Sequence, residues 1–275
     1  MVQEITNKKN ISQLKLSIQV RLDGLSFCIL DSHTGNISWY RKVSFPKEHN
    51  PGRTLEEIEN VYKEENALQD IFKEITLLFS NDLYSIVPSE YFIEEDASTY
   101  LKFNTKILGT DVVESDRITG ELINVYIPYT NITNYFFDRY GEFEFKHTAS
   151  ELIKYALELS PENETTSYLN NFKGYFDLAI VKEGSLLFCN TFNYETPEDF
   201  IYYLLFTAEQ LDLDPGNFNL ILLGNIFTEM EEYKIAYTYI KNIEMLKPDF
   251  KRLQETYNQN FQREEFLLLR SIGCE

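Results

Sequence analysis

Leu14-Lys15-Leu16-Ser17-Ile18-Gln19-Val20-Arg21-Leu22-Asp23-Gly24-Leu25-Ser26-Phe27-Cys28-Ile29-Leu30 is the stretch that decides the fold class. Leu14, Leu16, Ile18 and Val20 alternate with polar residues at the period of a half-buried strand, and Arg21-Leu22-Asp23-Gly24 forms a turn into a second apolar run. A β-hairpin is predicted. Beyond Asp31, the turn Ser32-His33-Thr34-Gly35-Asn36 leads to Ile37, Trp39, Val43 and Phe45 in renewed alternation. The first forty-odd residues therefore read as a three-stranded meander with one core face.

Working outward, a helix in two pieces is expected next. Thr54 and Glu57 have capping-box spacing, and Leu68, Ile71, Phe72, Ile75, Leu78 and Phe79 fall on one helical face. Residues 85–88 read as a short strand ended by proline. The same order returns later: a hairpin of 175–181 and 185–192 around Lys182-Glu183-Gly184, a helix opened by Thr196, Pro197 and Asp199, and a strand at 218–223. A short helix boxed by Thr228 and Glu231 and a strand near 243–246 follow. Between the halves, strand 120–127, helix 129–140 stopped at Gly141, strand 143–146 and helix 149–159 behind Thr148 and Glu151 form a compact αβ insert. Duplication is one reading of the recurrence; independent use of a common sheet-covering arrangement is the other.

At 275 residues the chain can bury a sizeable core as one large domain or two ordinary ones. A hydrophobic share of 43%, with 21 Phe and 19 Tyr, predicts a packed fold despite the acidity. Lys plus Arg number 25 against 44 Asp plus Glu, a formal charge of −19, which repels phosphate backbones and anionic headgroups. Nucleic-acid and membrane partners are not expected. No apolar run is long enough to span a bilayer, and the polar start Met1-Val2-Gln3-Glu4 lacks a signal-peptide core, so a cytoplasmic location is expected. Cys28, Cys189 and Cys274 read as reduced, packed thiols, and His33, His49 and His147 fit no zinc spacing.

A duplicated order of meander, helix and strand with an αβ insert in the first half resembles the actin-like ATPase fold of actin, Hsp70 chaperones and sugar kinases. The insert's place resembles the bacterial cell-division and type IV pilus-assembly members. Val87-Pro88-Ser89-Glu90-Tyr91-Phe92, Asn190-Thr191-Phe192, the helix start Thr196 to Tyr203 and the closing Cys274-Glu275 are similar to an uncharacterised bacterial family, a domain of unknown function with that fold. The resemblance implies an α/β, actin-like (ribonuclease H-like) protein of two lobes, each a mixed sheet with meander strands covered by helices. The first lobe would be residues 1–165, with the insert at about 104–160, and the second 166–275.

The resemblance also names positions to inspect. Active members hold ATP between the lobes with glycine hairpins whose amides approach the phosphates and whose aspartates position Mg²⁺ or water. Here the first hairpin offers Asp23, Gly24 and Ser26 at altered spacing. The second position has no match to the expected Asp-x-Gly-x-x-Thr, only Asn170 to Asp177 with Gly174 among bulky side chains, and the adenosine position keeps one of two glycines, Gly224, followed by Asn225. Asp23-Gly24 is equally a plain hairpin turn, and Gly224 a strand-ending turn. Asp23, Gly24, Ser26, Asp177, Gly224 and Asn225 are the candidate remnants of a nucleotide cleft.

Adjacent acids at Glu64-Glu65, Glu94-Glu95-Asp96 and Glu231-Glu232 read as solvated faces, and no nucleophile elbow, Walker loop or dinucleotide turn is present. Tyr202, Tyr203, Phe206, Tyr233, Tyr237 and Tyr239 lie on or beside predicted helices, as core and rim packing or as a patch for a protein partner or homodimer. The leading expectation is a non-catalytic interaction or scaffold module without cofactor. The alternatives are a divergent ATPase binding ATP and Mg between the lobes, and an unrelated small molecule in the cleft.

Overall fold

A computed structural model describes residues 13–103, 105–250, 253 and 257–274. The polar start at 1–12 and the closing Glu275 lie outside the described residues. In chain order the elements are β1 (Leu14–Val20), β2 (Gly24–Asp31), β3 (Asn36–Ser44), α1 (Pro51–Glu64), β4 (Glu74–Phe79) and β5 (Tyr84–Pro88). Then come α2 (Ala97–Leu101), β6 (Glu114–Arg117), β7 (Leu122–Tyr126), α3 (Thr130–Tyr140), β8 (Glu144–His147) and α4 (Thr148–Leu159). The second half holds β9 (Thr165–Asn171), β10 (Tyr175–Lys182), β11 (Ser185–Asn193), α5 (Pro197–Gln210), β12 (Asn219–Gly224), α6 (Glu231–Tyr239), β13 (Asn242–Met245), α7 (Gln259–Glu264) and α8 (Phe266–Ser271).

Two five-stranded sheets share one plan, β3-β2-β1-β4-β8 and β11-β10-β9-β12-β13. In each, an antiparallel meander is followed by two parallel strands reached through helical crossovers. A third sheet, β5-β7-β6, is small and antiparallel. It draws in β5, while β8 pairs with β4 in the first large sheet, so the separate sheet spans 84–126 and leaves α3, β8 and α4 with the main lobe.

One expected helix is a strand. Residues 74–79 form β4, inserted between β1 and β8 and buried from Ile75 to Phe79. A central parallel strand covered on both faces loses its alternation, and its short apolar run matches helical spacing equally well. Two caps move as well. Asn50 caps α1, accepting from the Arg53 amide, with Thr54 buried inside the helix, and His147 caps α4 by accepting from the Ala149 amide. At Thr196 the expected box is present, with Asp199 bonding back, whereas α6 begins at Met230 with no side-chain cap.

The outer face of each large sheet is apolar and carries its own helices: Leu16, Ile18, Phe27 and Ile29 under α1 and α3, and Phe176, Leu178, Leu220 and Leu222 under α5 and α6. The inner faces share one core, in which Cys28 and Leu30 of the first sheet meet Tyr168, Ala179 and Leu223 of the second. Two helices cross to build it. Helix α4 leaves the first sheet and packs on β9, β10 and β11, and α8 returns from the second half to pack on β1, β2 and β4. No helix is long and apolar enough to cross a membrane among the described residues.

Leu268 of α8 is fully buried in this shared core. Leu268→Ala is expected to lower stability by roughly 2–5 kcal/mol in urea unfolding. Because the crossing helices tie the sheets together, fluorescence of the sole tryptophan, Trp39 in the first sheet, and far-UV circular dichroism of the whole chain should report one coincident transition.

Candidate functional site

Four connections, those after β1, β3, β4 and β7, face the β10–β11 pair at one end of the sheets. Between them lies a cavity of about 130 Å³ lined by Leu22, Asp23, Glu48, Ser80, Asn81, Asp82, Tyr129, Tyr175, Thr191 and Asn193. Small-molecule pockets run to roughly 300–1,000 Å³, so this space is small. Three of its walls are carboxylates, Asp23, Glu48 and Asp82, and no lysine or arginine is among the lining residues.

The first connection uses its own groups. Arg21 Nε donates to Asp23 Oδ1 at 2.9 Å with both side chains largely buried, and the guanidinium sits 5.5 Å from the centre of the Phe172 ring. The Asp23 and Leu22 carbonyls accept from the Phe45 and His49 amides at 2.9 and 2.8 Å. The expected hairpin is present, with Val20 paired to Leu25 and the Arg21 amide donating to the Gly24 carbonyl at 3.0 Å, but Gly24 does not occupy a left-handed turn conformation. It begins β2, and a Cβ there would lie 2.5 Å from the Val43 carbonyl oxygen, which makes strand approach the reason for glycine. Ser26 is fully buried on β2 opposite Gln19 and Lys42, outside the cavity lining.

Across the cleft, Phe172 and Tyr175 stack with centroids 4.6 Å apart and an interplanar angle of 18°. Tyr175 Oη reaches to 3.4 Å from Ser80 Oγ of the opposite sheet. Asp177, two residues on, is buried; Thr191 Oγ1 donates to its Oδ1 at 2.7 Å, and its Oδ2 has no hydrogen-bond partner among the described residues. Burial pushes its pKa up to about 7, with the Thr191 hydrogen bond pulling the other way. Asp177 thus touches the cavity through Thr191.

At the end of β12, Gly224 has φ of 78°, and a Cβ would come 2.3 Å from the Asn171 carbonyl oxygen. Asn225 N donates to that carbonyl at 2.7 Å, and Asn171 Nδ2 donates to the Asn225 carbonyl at 2.8 Å. Arg263 of α7 donates to the Ile226 carbonyl at 3.1 Å. Gly224 and Asn225 therefore hold the second sheet together and are not among the lining residues. Of the candidates, the structure brings Asp23 into the cavity, Asp177 behind it, Gly24, Ser26 and Gly224 into the sheets, and Asn225 just past the end of β12.

Sequence reasoning missed Glu48, Asn81, Asp82 and Tyr129. Once β4 is a parallel strand, Ser80-Asn81-Asp82 at its carboxyl end is a ligand-facing position by topology, a signal hidden by the helical reading. No cluster of three or more His, Cys, Asp or Glu is placed to hold a metal ion among the described residues. A wider open groove of about 1080 Å³ lies at the far ends of β1, β4 and β8, beside Lys15, Ile71, Glu74 and Arg139.

A family model described as a protein of unknown function (DUF3822) matches residues 3–243. Curated proteins gave no match. Among solved structures, a Bacteroides thetaiotaomicron protein with an actin-like ATPase fold and unknown function superposes with a TM-score of 0.76 at 23% identity, over 94% of this chain and 96% of that one. The PilM-PilN type IV pilus biogenesis complex superposes with a TM-score of 0.59 at 12% identity, over 93% of this chain and 96% of the matched chain. These likenesses show the fold: the protein is α/β with the actin-like arrangement of two mixed sheets covered by helices.

The folded protein holds the Asp177 proton up to about pH 7, whereas an unfolded aspartate releases it near 3.9, so this stabilising contribution is complete below pH ~4 and lost as pH rises through 7. An asparagine at this position would not ionise. Asp177→Asn is therefore expected to be more stable than the parent by roughly 2–4 kcal/mol at about pH 8, with the gain gone at about pH 4, in urea unfolding. Buried His147, whose pKa burial lowers to about 3, loses stability as pH falls and cancels in the comparison, being present in both proteins. A gain independent of pH would remove Asp177 as the titrating group.

Proposed function

We propose that this chain, which belongs to the DUF3822 family of proteins of unknown function, is a non-catalytic actin-like protein with a degenerate nucleotide cleft that works by binding a protein partner. The observation that carries the reading is the filled phosphate side of the cleft. The stacked Phe172 and Tyr175 rings occupy the second phosphate connection, and Arg21 is spent on Asp23. A triphosphate brought to the remaining 130 Å³ would face Asp23, Glu48 and Asp82, with Coulomb repulsion unrelieved by any lining cation. Close strand approach accounts for both candidate glycines without a ligand, because a Cβ at Gly24 or Gly224 would strike the Val43 or Asn171 carbonyl. The residues present do not suit ATP with Mg²⁺.

Two observations support a protein partner. A neighbour in fold, PilM-PilN, is a complex of two proteins. Large side chains that would normally seek cover stand exposed, among them Tyr202, Phe206, Tyr237 and Tyr239 on the second half and Tyr91 and Phe103 near the small sheet. The charge of −19 turns such a partner away from nucleic acid and toward a neutral or basic protein surface, and a cytoplasmic location suits the reduced thiols.

Thermal unfolding with and without millimolar Mg²⁺ plus ATP, ADP or GTP tests the proposal. No shift is expected. A ligand at about 100 times its Kd stabilises by ~2.7 kcal/mol, or roughly 5–10 °C for a chain of this size. A shift of that order with ATP, abolished by Asp23→Ala, would overturn the degenerate cleft and favour a divergent ATPase built on Asp23, Ser26, Asp177 and Gly224.

A further inference from the structure

Strand β11 ends the second sheet, pairing with β10 on one side only. Among the described residues no backbone hydrogen bond reaches its other side. Exposed edges are normally guarded by lysine, proline or a covering segment, because their unpaired N–H and C=O groups invite another strand. Yet Ser185–Asn193 carries no charge and no proline, in a chain that is 25% charged residues. Its counterpart β3 is guarded: Arg41 pairs with Glu64 and Glu65, and Lys42 with Glu264 and Glu265. The one irregularity of β11 is a bulge at Leu187, beyond which Phe188 to Asn193 run in regular register.

The open edge continues into a shelf of rings. Phe188 stacks on Phe192 at 6.2 Å, Phe192 on Tyr203 of α5 at 5.2 Å, Tyr203 meets Tyr202 at 5.5 Å, and Tyr202 stacks on Phe206 at 5.7 Å. Tyr202 and Phe206 are 57% and 45% exposed, far above a packed aromatic. An open row of backbone groups beside an uncovered aromatic row is the chemistry of strand addition, in which main-chain bonds give affinity and side-chain contacts give register.

We propose that β11 is the two-fold interface of a homodimer, in which the β11 strands of two copies pair antiparallel and join their five-stranded sheets into one of ten. The strand is complementary to itself. Centred on Asn190, the pairing sets Phe188 of each copy opposite Phe192 of its mate and leaves the Leu187 bulge outside the regular zone. A two-fold axis normal to the sheet keeps both copies' α5 helices on the same side of the joint, so the two ring shelves run together. An uncharged strand is the element by which two bodies of charge −19 can meet without like charges opposed along the ladder. The dimer is independent of what the cleft binds.

Sedimentation of the full chain over a micromolar to sub-millimolar range should show a monomer–dimer equilibrium. Asn190→Lys, which sets two ammonium groups opposite each other, should weaken it roughly tenfold or more, while Asn190→Thr keeps it. Hydrogen exchange at β11 should slow at high protein concentration in the parent and not in Asn190→Lys, whose unfolding temperature as a dilute monomer should match the parent's. A parent that stays monomeric throughout, with β11 amides exchanging fast, would overturn the dimer and leave the edge to another protein. A dimer that Asn190→Lys leaves intact would overturn it too.

Discussion

The exchange of helices between the two sheets governs the molecule. Helix α4 belongs by sequence to the first half and packs on the second sheet, and α8 does the reverse. Each sheet therefore has an inner face covered by the other half's chain, which explains why that face tolerates polar residues. Ser17 is fully buried on β1, yet its hydroxyl lies 2.7 Å from that of Ser271 in α8. Glu265, at 2% exposure, accepts from Tyr40 at 2.8 Å and lies 3.1 Å from Lys42. A carboxylate so covered needs both partners, because burial without them would cost several kcal/mol.

The cleft inherits its shape from that exchange. With the inner faces cross-braced, the four connections at the strand ends are held close, and the chain has filled the gap with its own side chains. Cation, anion and rings are arranged as a closed set: Arg21 serves Asp23 and faces Phe172, Phe172 stacks on Tyr175, and Tyr175 approaches Ser80. What remains is a short polar gap between carboxylates, with Asp177 and Thr191 forming a second layer behind it.

Local signals in the sequence were legible where an element pairs with, or caps against, its neighbours in the chain. The meander at 14–44, the hairpin around Lys182-Glu183-Gly184 and the Thr196 cap all depend on neighbours a few residues away. Elements placed by distant partners were not. Strand β4 reads as helix because burial on both sides erases alternation, and β9, Thr-Thr-Ser-Tyr-Leu-Asn-Asn, gives no strand signal because its polar residues are satisfied by distant partners such as Asn225. The same blindness hid part of the cavity. Asp23 was visible in a hairpin, whereas Asp82 acquires meaning only when β4 is known to be a strand. Gly24 and Gly224 were visible as glycines, but the atoms that require them, on Val43 and Asn171, come from strands that only the fold brings near.

The crossing of α8 also sets an order in time. The inner face of β1 and β2 is complete once residue 31 has emerged from the ribosome, but its cover begins at Phe266. At roughly 5–20 residues per second, that face waits about 10–50 s for its own chain. Throughout that interval Cys28 and Leu30 are a sticky surface on a nascent protein, and the first half cannot reach its final state before α8 has emerged.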